Sequence, residues 1–260
     1  MATVYSISKK PKLFDYPKDR DDLVYLAVLA ASGGRYEHMY GYMRRLAEIL
    51  GPTERLTVEE RKCFSWACNS YIKNKQDAYR SVAKLAADWA GIDQKQADAA
   101  NAYLPMMARE IDAICRDVVK TINKYFMDPV YGRVRSALAV EPMIFYRTLK
   151  GDFLRYQAEV NTGFESQRFA DEAYKSYLSA KRDEGQLPTT NPTRLDMRFS
   201  LAHLICDVFR KPYEGYKIAG EAYELAMRDL KAAGEEPSGD IADALSRLQH
   251  FLNLWKNYAT

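Results

Sequence analysis

The residues of this chain best suited to chemistry lie between Ile144 and Val160, in the stretch IFYRTLKGDFLRYQAEV. Arg155 and Tyr156 set a guanidinium beside a phenol, and Asp152 stands three residues earlier. On a helix that spacing lets the carboxylate hold the guanidinium in one orientation. A fixed guanidinium with an adjacent hydroxyl donor suits phosphate or carboxylate oxygens. The plainer alternative is a surface ion pair next to a packed ring. His203, Cys206 and Asp207 offer metal-ligand types on one helical face. No second ligand cluster can be placed beside them, so packing is the better reading. There is no Gly-rich phosphate loop after a strand, no HExxH and no GxSxG, and His38 and His250 have no evident acid or base partner. The chain reads as a non-enzyme without cofactor or metal.

Further positions sharpen the reading of this stretch. Phe145-Tyr146, Lys150-Gly151-Asp152, Arg155-Tyr156 and Ala158-Glu159-Val160 resemble the FYLKMKGDYYRYLAEV signature of the 14-3-3 proteins. Leu187-Pro-Thr-Thr-Asn-Pro-Thr-Arg194-Leu195 resembles their LPPTHPIRL segment, and Leu252, Leu254 and Trp255 resemble the closing NLTLW. Upstream, Glu59-Glu60-Arg61, Ser65 and Ala67 are similar to the EERNLLSVAYKN region. The resemblance runs in order from about Asp21 to Trp255. It implies an all-α antiparallel bundle of about nine helices forming a concave groove. It also implies a non-catalytic, cytoplasmic adaptor that binds phosphoserine or phosphothreonine segments of partner proteins and forms a homodimer.

The resemblance carries over to only part of the family's binding positions. Arg155 and Tyr156 match the fifth-helix pair, but the family's Lys and Arg on the third helix align with Asn69 and Gln76. Two Asn that grip the ligand backbone align with Ser200 and Phe251, and a Glu with Asp207. Apolar wall positions become His203, Asp243, Ala244 and Arg247, while Leu254 and Trp255 are kept. Charge-assisted hydrogen bonds contribute roughly 1.5–3 kcal/mol each. Losing two weakens a phosphate pocket by about two to four decades. Lys73 shares a helical face with Asn69, Gln76 and Arg80, so either the positive charge has moved by one turn, with Arg247 adding to it from the far wall, or Lys73 only fills the pocket and points to water. The alternative is a scaffold that recognises unphosphorylated or acidic surfaces without phosphate dependence. For the dimer, Arg35 and Glu110 match one family ion pair and a second is lost to His38 and Met106. Leu29, Ala30 and Tyr103 are left to supply the apolar packing, because surface ion pairs contribute little.

The elements that must position these residues follow from periodicity and punctuation. Leu23, Leu26 and Leu29 begin a helix stopped at Gly33-Gly34, and Tyr36 to Leu50 form a second, closed by Gly51-Pro52. Thr57 and Glu60 make a capping box for a long third helix to Trp89, polar all round from Lys73 to Asp77. A fourth runs through Ala100 to Ile122, with Pro105 expected to kink it or begin its regular part. Pro142 opens the fifth, and Phe169, Pro192, Tyr216 and Ile241 mark four more. No period-2 strands with hairpin turns appear, so the fold is all-α. Ala170-x-Glu-Ala-Tyr174 recurs as Ala219-x-Glu-Ala-Tyr223, but not at tetratricopeptide spacing. Residues 1–20 read as a flexible basic arm, residues 21–257 as one helical domain, and the 128–141 connection is longer than the family's. Charged residues are 28%, apolar ones 47% and net charge +3, which is too little to argue for nucleic acid. No apolar run is long enough for a membrane span. Four Cys without a CxxC pair read as reduced core residues.

Overall fold

A computed structural model describes residues 19–50, 54–127 and 140–258. The basic arm, the Gly51-Pro52 closure and nearly all of the long connection lie outside the described residues. Among those described there are nine α-helices and no strand. They are α1 (Arg20–Ser32), α2 (Tyr36–Leu50), α3 (Val58–Trp89), α4 (Gln94–Tyr125), α5 (Val140–Val160), α6 (Gly163–Asp183), α7 (Pro192–His203), α8 (Pro212–Ala233) and α9 (Gly239–Trp255).

The boundaries follow the local chemistry. Asp19 caps α1 by accepting from the Asp21 and Asp22 N–H groups at 2.8 and 3.3 Å. The capping box of α3 is complete: the Thr57 N–H donates to Glu60 at 2.6 Å and the Glu60 N–H to Thr57 Oγ1 at 3.2 Å. Asp93 caps α4, which starts at Gln94 and runs through Pro105, so Pro105 neither begins nor ends it. Asn191 caps α7 with Pro192 in its first turn, where a missing N–H does no harm. The chain after α7 continues as one π-helical turn, Leu204–Val208, and Arg210 adopts φ 57° just beyond it.

The contacts divide the chain into two compact units, Met1–Asn74 and Lys75–Thr260, with the division inside α3. In the first, Leu23 and Ala27 of α1, Met39 and Met43 of α2 and Phe64 and Cys68 of α3 are fully buried. Tyr40 stacks on Tyr71 at 5.7 Å, and Arg20 grips Glu60 through two bonds of 2.7 Å. In the second unit, α5 and α6 pack closely. Gly151 permits this, since a Cβ there would lie 2.5 Å from the Tyr177 ring. Gly215 does the same for α8, where a Cβ would fall 2.3 Å from Cys206 Sγ. The middle of α3 is not uniformly wet: Lys73, Asn74 and Asp77 are exposed, but Gln76 is buried.

Candidate functional site

Within the second unit three charged residues of α5 form one network. Asp152, Arg155 and Glu159 fall one turn apart, and most of their side-chain surface is buried. The Arg155 side chain is 11% exposed. Its nearest anion is Glu159, one turn on, with Nη1 donating to Oε1 at 2.5 Å. Asp152, expected from spacing to orient it, stands off at 3.9 Å. Asp152 instead accepts a 2.8 Å bond from the buried Tyr177 hydroxyl. Burial raises the Asp152 carboxyl above the usual range, with Arg155, Tyr177 and Ser200 opposing the rise. Burial also opposes the Arg155 charge, but Glu159 foremost outweighs it, and the guanidinium stays protonated. Arg155 lies 4.7 Å over the Tyr156 ring, a cation–π contact, and burial raises that phenol above its ordinary value.

Arg80, on the half of α3 belonging to this unit, donates to the second oxygen of Glu159 at 3.3 Å. Two guanidiniums therefore converge on one carboxylate. Arg155 Nε is buried and has no hydrogen-bond partner among the described residues, so it is an unspent donor with respect to them.

The α7–α9 wall is aromatic. Phe199, His203 and Phe251 form a cluster with ring centroids 4.6 to 6.0 Å apart, and Phe251 touches Trp255 at 6.2 Å. Phe251 and Ser200, the positions aligned with the family's ligand-gripping Asn, are both buried. His203 Nδ1 and Asp207 share a 2.7 Å hydrogen bond. Cys206 points elsewhere, its thiol directed at the Pro212 carbonyl and pushed up to about 12 by burial. The three do not converge, and no group of metal-ligand side chains is placed to hold an ion among the described residues. Arg247 is held by Asp196 at 2.5 Å.

The remaining expected residues are placed separately. In the first unit Asn69 donates to Ser65 Oγ at 3.3 Å, Lys73 is exposed, and Arg35 contacts His38 Nε2 at 3.4 Å. Leu29 is exposed. In the second, Tyr103 is exposed and Glu110 takes Lys75 of the same chain. Glu159, Tyr177 and Arg80 are the participants to which sequence reasoning gave no role. Glu159 had a signal, its four-residue spacing from Arg155; Tyr177 had none, since it reaches Asp152 only through the α5–α6 packing.

These features define an all-helical protein with a buried guanidinium–carboxylate site on its fifth helix. The family model for the 14-3-3 protein matches residues 26–256. 14-3-3-like protein B of Vicia faba is 30% identical over 247 residues, covering 92% of this chain and 88% of that protein. The 14-3-3 protein of Giardia intestinalis is 28% identical, covering 91% and 92%. Checkpoint signal transducer rad24 of Schizosaccharomyces pombe is 28% identical, covering 92% and 86%. The chain belongs to the 14-3-3 family. No helix among the described residues is long and apolar enough to cross a membrane.

Proposed function

We propose that this 14-3-3 protein is a non-catalytic, cytoplasmic adaptor that takes phosphoserine or phosphothreonine segments of partner proteins at Arg155, through an altered and weakened pocket. The observation that carries this reading is the convergence of Arg155 and Arg80 on the single carboxylate of Glu159. Glu159 marks where two cations meet an anion, and the unpartnered Nε of Arg155 is one more donor for a phosphate oxygen. Tyr156 donates from the side. The weakening has two sources: Asn69 and Gln76 carry no charge, and an incoming phosphate must compete with Glu159. Lys73 is exposed on the part of α3 that belongs to the first unit; whether it is the relocated cation is tested by Lys73→Ala, where weaker phosphopeptide binding supports that role and an unchanged affinity rejects it.

The test is calorimetric titration of one serine peptide with and without its phosphate. The phosphorylated form is expected to bind at least about tenfold more tightly, a difference that Arg155→Ala erases. Equal binding of the two forms favours the second reading, a scaffold for unphosphorylated or acidic surfaces. That reading draws support from Arg247 being neutralised by Asp196 and from buried Phe251 in place of a backbone-gripping amide.

The protein is further expected to form a homodimer with Leu29 and Ala30 on α1 and Tyr103 on α4 as the apolar candidates, of which Leu29 and Tyr103 are exposed and Ala30 is half-buried. Sedimentation at micromolar concentration checks this, and a clean monomer refutes it. The family match over 26–256 supports residues 21–257 as the adaptor domain, with the basic arm outside it.

A further inference from the structure

Helix α5 has a second neighbourhood on its far side. Leu154 and Gln157 lie about 160° around the helix from the centre of Asp152, Arg155 and Glu159, at 100° per residue. There, α4, α5 and α6 enclose an open groove of about 770 Å³. Its floor is apolar: Val119, Leu154 and Phe169. One bank is the α4 stripe Arg116, Lys120 and Lys124, all exposed and spaced four residues apart, about 6 Å per step. On the opposite bank Arg168 takes both Glu165 at 2.6 Å and Glu172 at 3.3 Å, which leaves that bank one negative charge against the three cations of α4. Arg116 leans on Asp112, which Gln157 also holds at 2.6 Å. Lys124 donates to the Tyr125 hydroxyl at 2.9 Å. Lys120 makes no ion pair with any described residue. The outward charge of the groove is thus positive and comes from α4.

We propose that this groove is a second docking site, for an acidic amphipathic helix of a partner protein. Carboxylates at i, i+4 and i+8 on that helix would repeat the spacing of Arg116, Lys120 and Lys124, and an apolar side chain between them would enter the Val119–Leu154–Phe169 floor. Charge selects an external occupant over this chain's own remaining segments. Residues 1–18 carry Lys9, Lys10, Lys12 and Lys18 against Asp15, and residues 128–139 carry Arg133 and Arg135 against Asp128. Both are basic and are repelled by the stripe. The site is independent of the phosphate reading, since it uses the other face of α5.

The probe is a fluorescein-labelled helical peptide with Glu at i, i+4 and i+8 and Leu between, titrated into the full chain by anisotropy. Saturable binding is expected. Lys120→Glu weakens it about tenfold, because an attraction becomes a repulsion at an exposed site. Arg155→Ala leaves it unchanged, and a Lys-for-Glu or Ser-for-Leu peptide does not bind. Lys120 is exposed, so the variant is expected to fold as the parent does, with circular dichroism as the control. The proposal fails if Lys120→Glu binds like the parent, if the Lys peptide binds as well as the Glu peptide, or if no saturable binding occurs. It also fails if Arg155→Ala abolishes binding, because the peptide then occupies the phosphate site. A shift in sedimentation upon Lys120→Glu would instead assign the groove to a second copy of this chain, and overturn it.

Discussion

The two faces of α5 handle positive charge in opposite ways. On one, Arg155 is nearly buried and a carboxylate of its own helix neutralises it. On the other, the α4 stripe stands in solvent, its acidic neighbours across the groove already engaged by Arg168. A buried guanidinium without an anion is costly, so the inner face must carry its own counter-charge, and any ligand there competes with it. Exposed cations bear no such cost. Arg116 is partly held by Asp112, but Lys120 attracts without an ion-pair competitor among the described residues, and water and salt weaken the attraction. On the two proposals above, the inner face suits selectivity and the outer one ready, weak encounter.

The largest disruption of this contrast should come from Gly151→Ala. The new Cβ would sit 2.5 Å from the Tyr177 ring, against a helix with little room to move. Overpacking of this kind costs about 1–3 kcal/mol. It also pulls the Tyr177 hydroxyl from Asp152, so stability and phosphopeptide binding fall together while the outer groove keeps its acidic peptide. Chemical denaturation beside both titrations measures this.

Glu159→Gln sharpens the contrast by removing the competing anion. Phosphopeptide affinity is expected to rise about tenfold, the equivalent of one charge-assisted hydrogen bond no longer contested. Stability should fall modestly, since Arg155 and Arg80 lose their shared carboxylate. An unchanged or lower affinity would mean that Glu159 orients the guanidinium more than it blocks it.

The sequence made some of this legible. The Thr57–Glu60 capping box is local, and both of its bonds form as the residue types require. Helix order followed from apolar periodicity, because each amphipathic stripe is written within its own segment. The start of α4 was less visible: Gln94 to Asp98 is nearly all polar, and the Asp93 cap precedes the first strong apolar repeat. The π turn after α7 depends on backbone register and leaves no composition signal. At the site, Arg155 and Asp152 are neighbours in sequence, but the true anchor of Asp152 is a tyrosine on the next helix. Spacing offers Asp152, three residues before Arg155, as its partner, and gives Glu159 no role. Tertiary packing turns Asp152 toward Tyr177 and leaves Arg155 to Glu159. The interior Gly151, which costs a helix about 0.5–1 kcal/mol, hints that something comes close there but not that it is Tyr177.

Protonation separates the faces more gently. The Asp152 carboxyl is raised by burial, so the folded state takes up a proton at higher pH than the unfolded chain does. Its charged form therefore lowers stability at neutral pH, and that penalty fades as pH falls through the folded value toward 3.8, the ordinary one. Asp152→Asn removes the penalty while keeping an acceptor for Tyr177. Its stability relative to the parent should be highest at pH 7 and decline as the solution is acidified to pH 4, read from urea midpoints. A difference that grows on acidification would mean that Asp152 contributes through its charge on Arg155, and that the inner face depends on both carboxylates.

The smallest effect is the most direct comparison of the two faces. Raising salt from 0.05 to 0.3 M should weaken the acidic peptide at the α4 stripe about fivefold, because exposed charges lie within reach of the ion atmosphere. The phosphopeptide at Arg155 should lose only about twofold, since its contacts form where salt ions are excluded and Glu159 already offsets part of the charge. Equal slopes would place both ligands on solvent-exposed cations. The buried guanidinium would then be a structural ion pair, and the adaptor site would have to be sought among the exposed lysines and arginines.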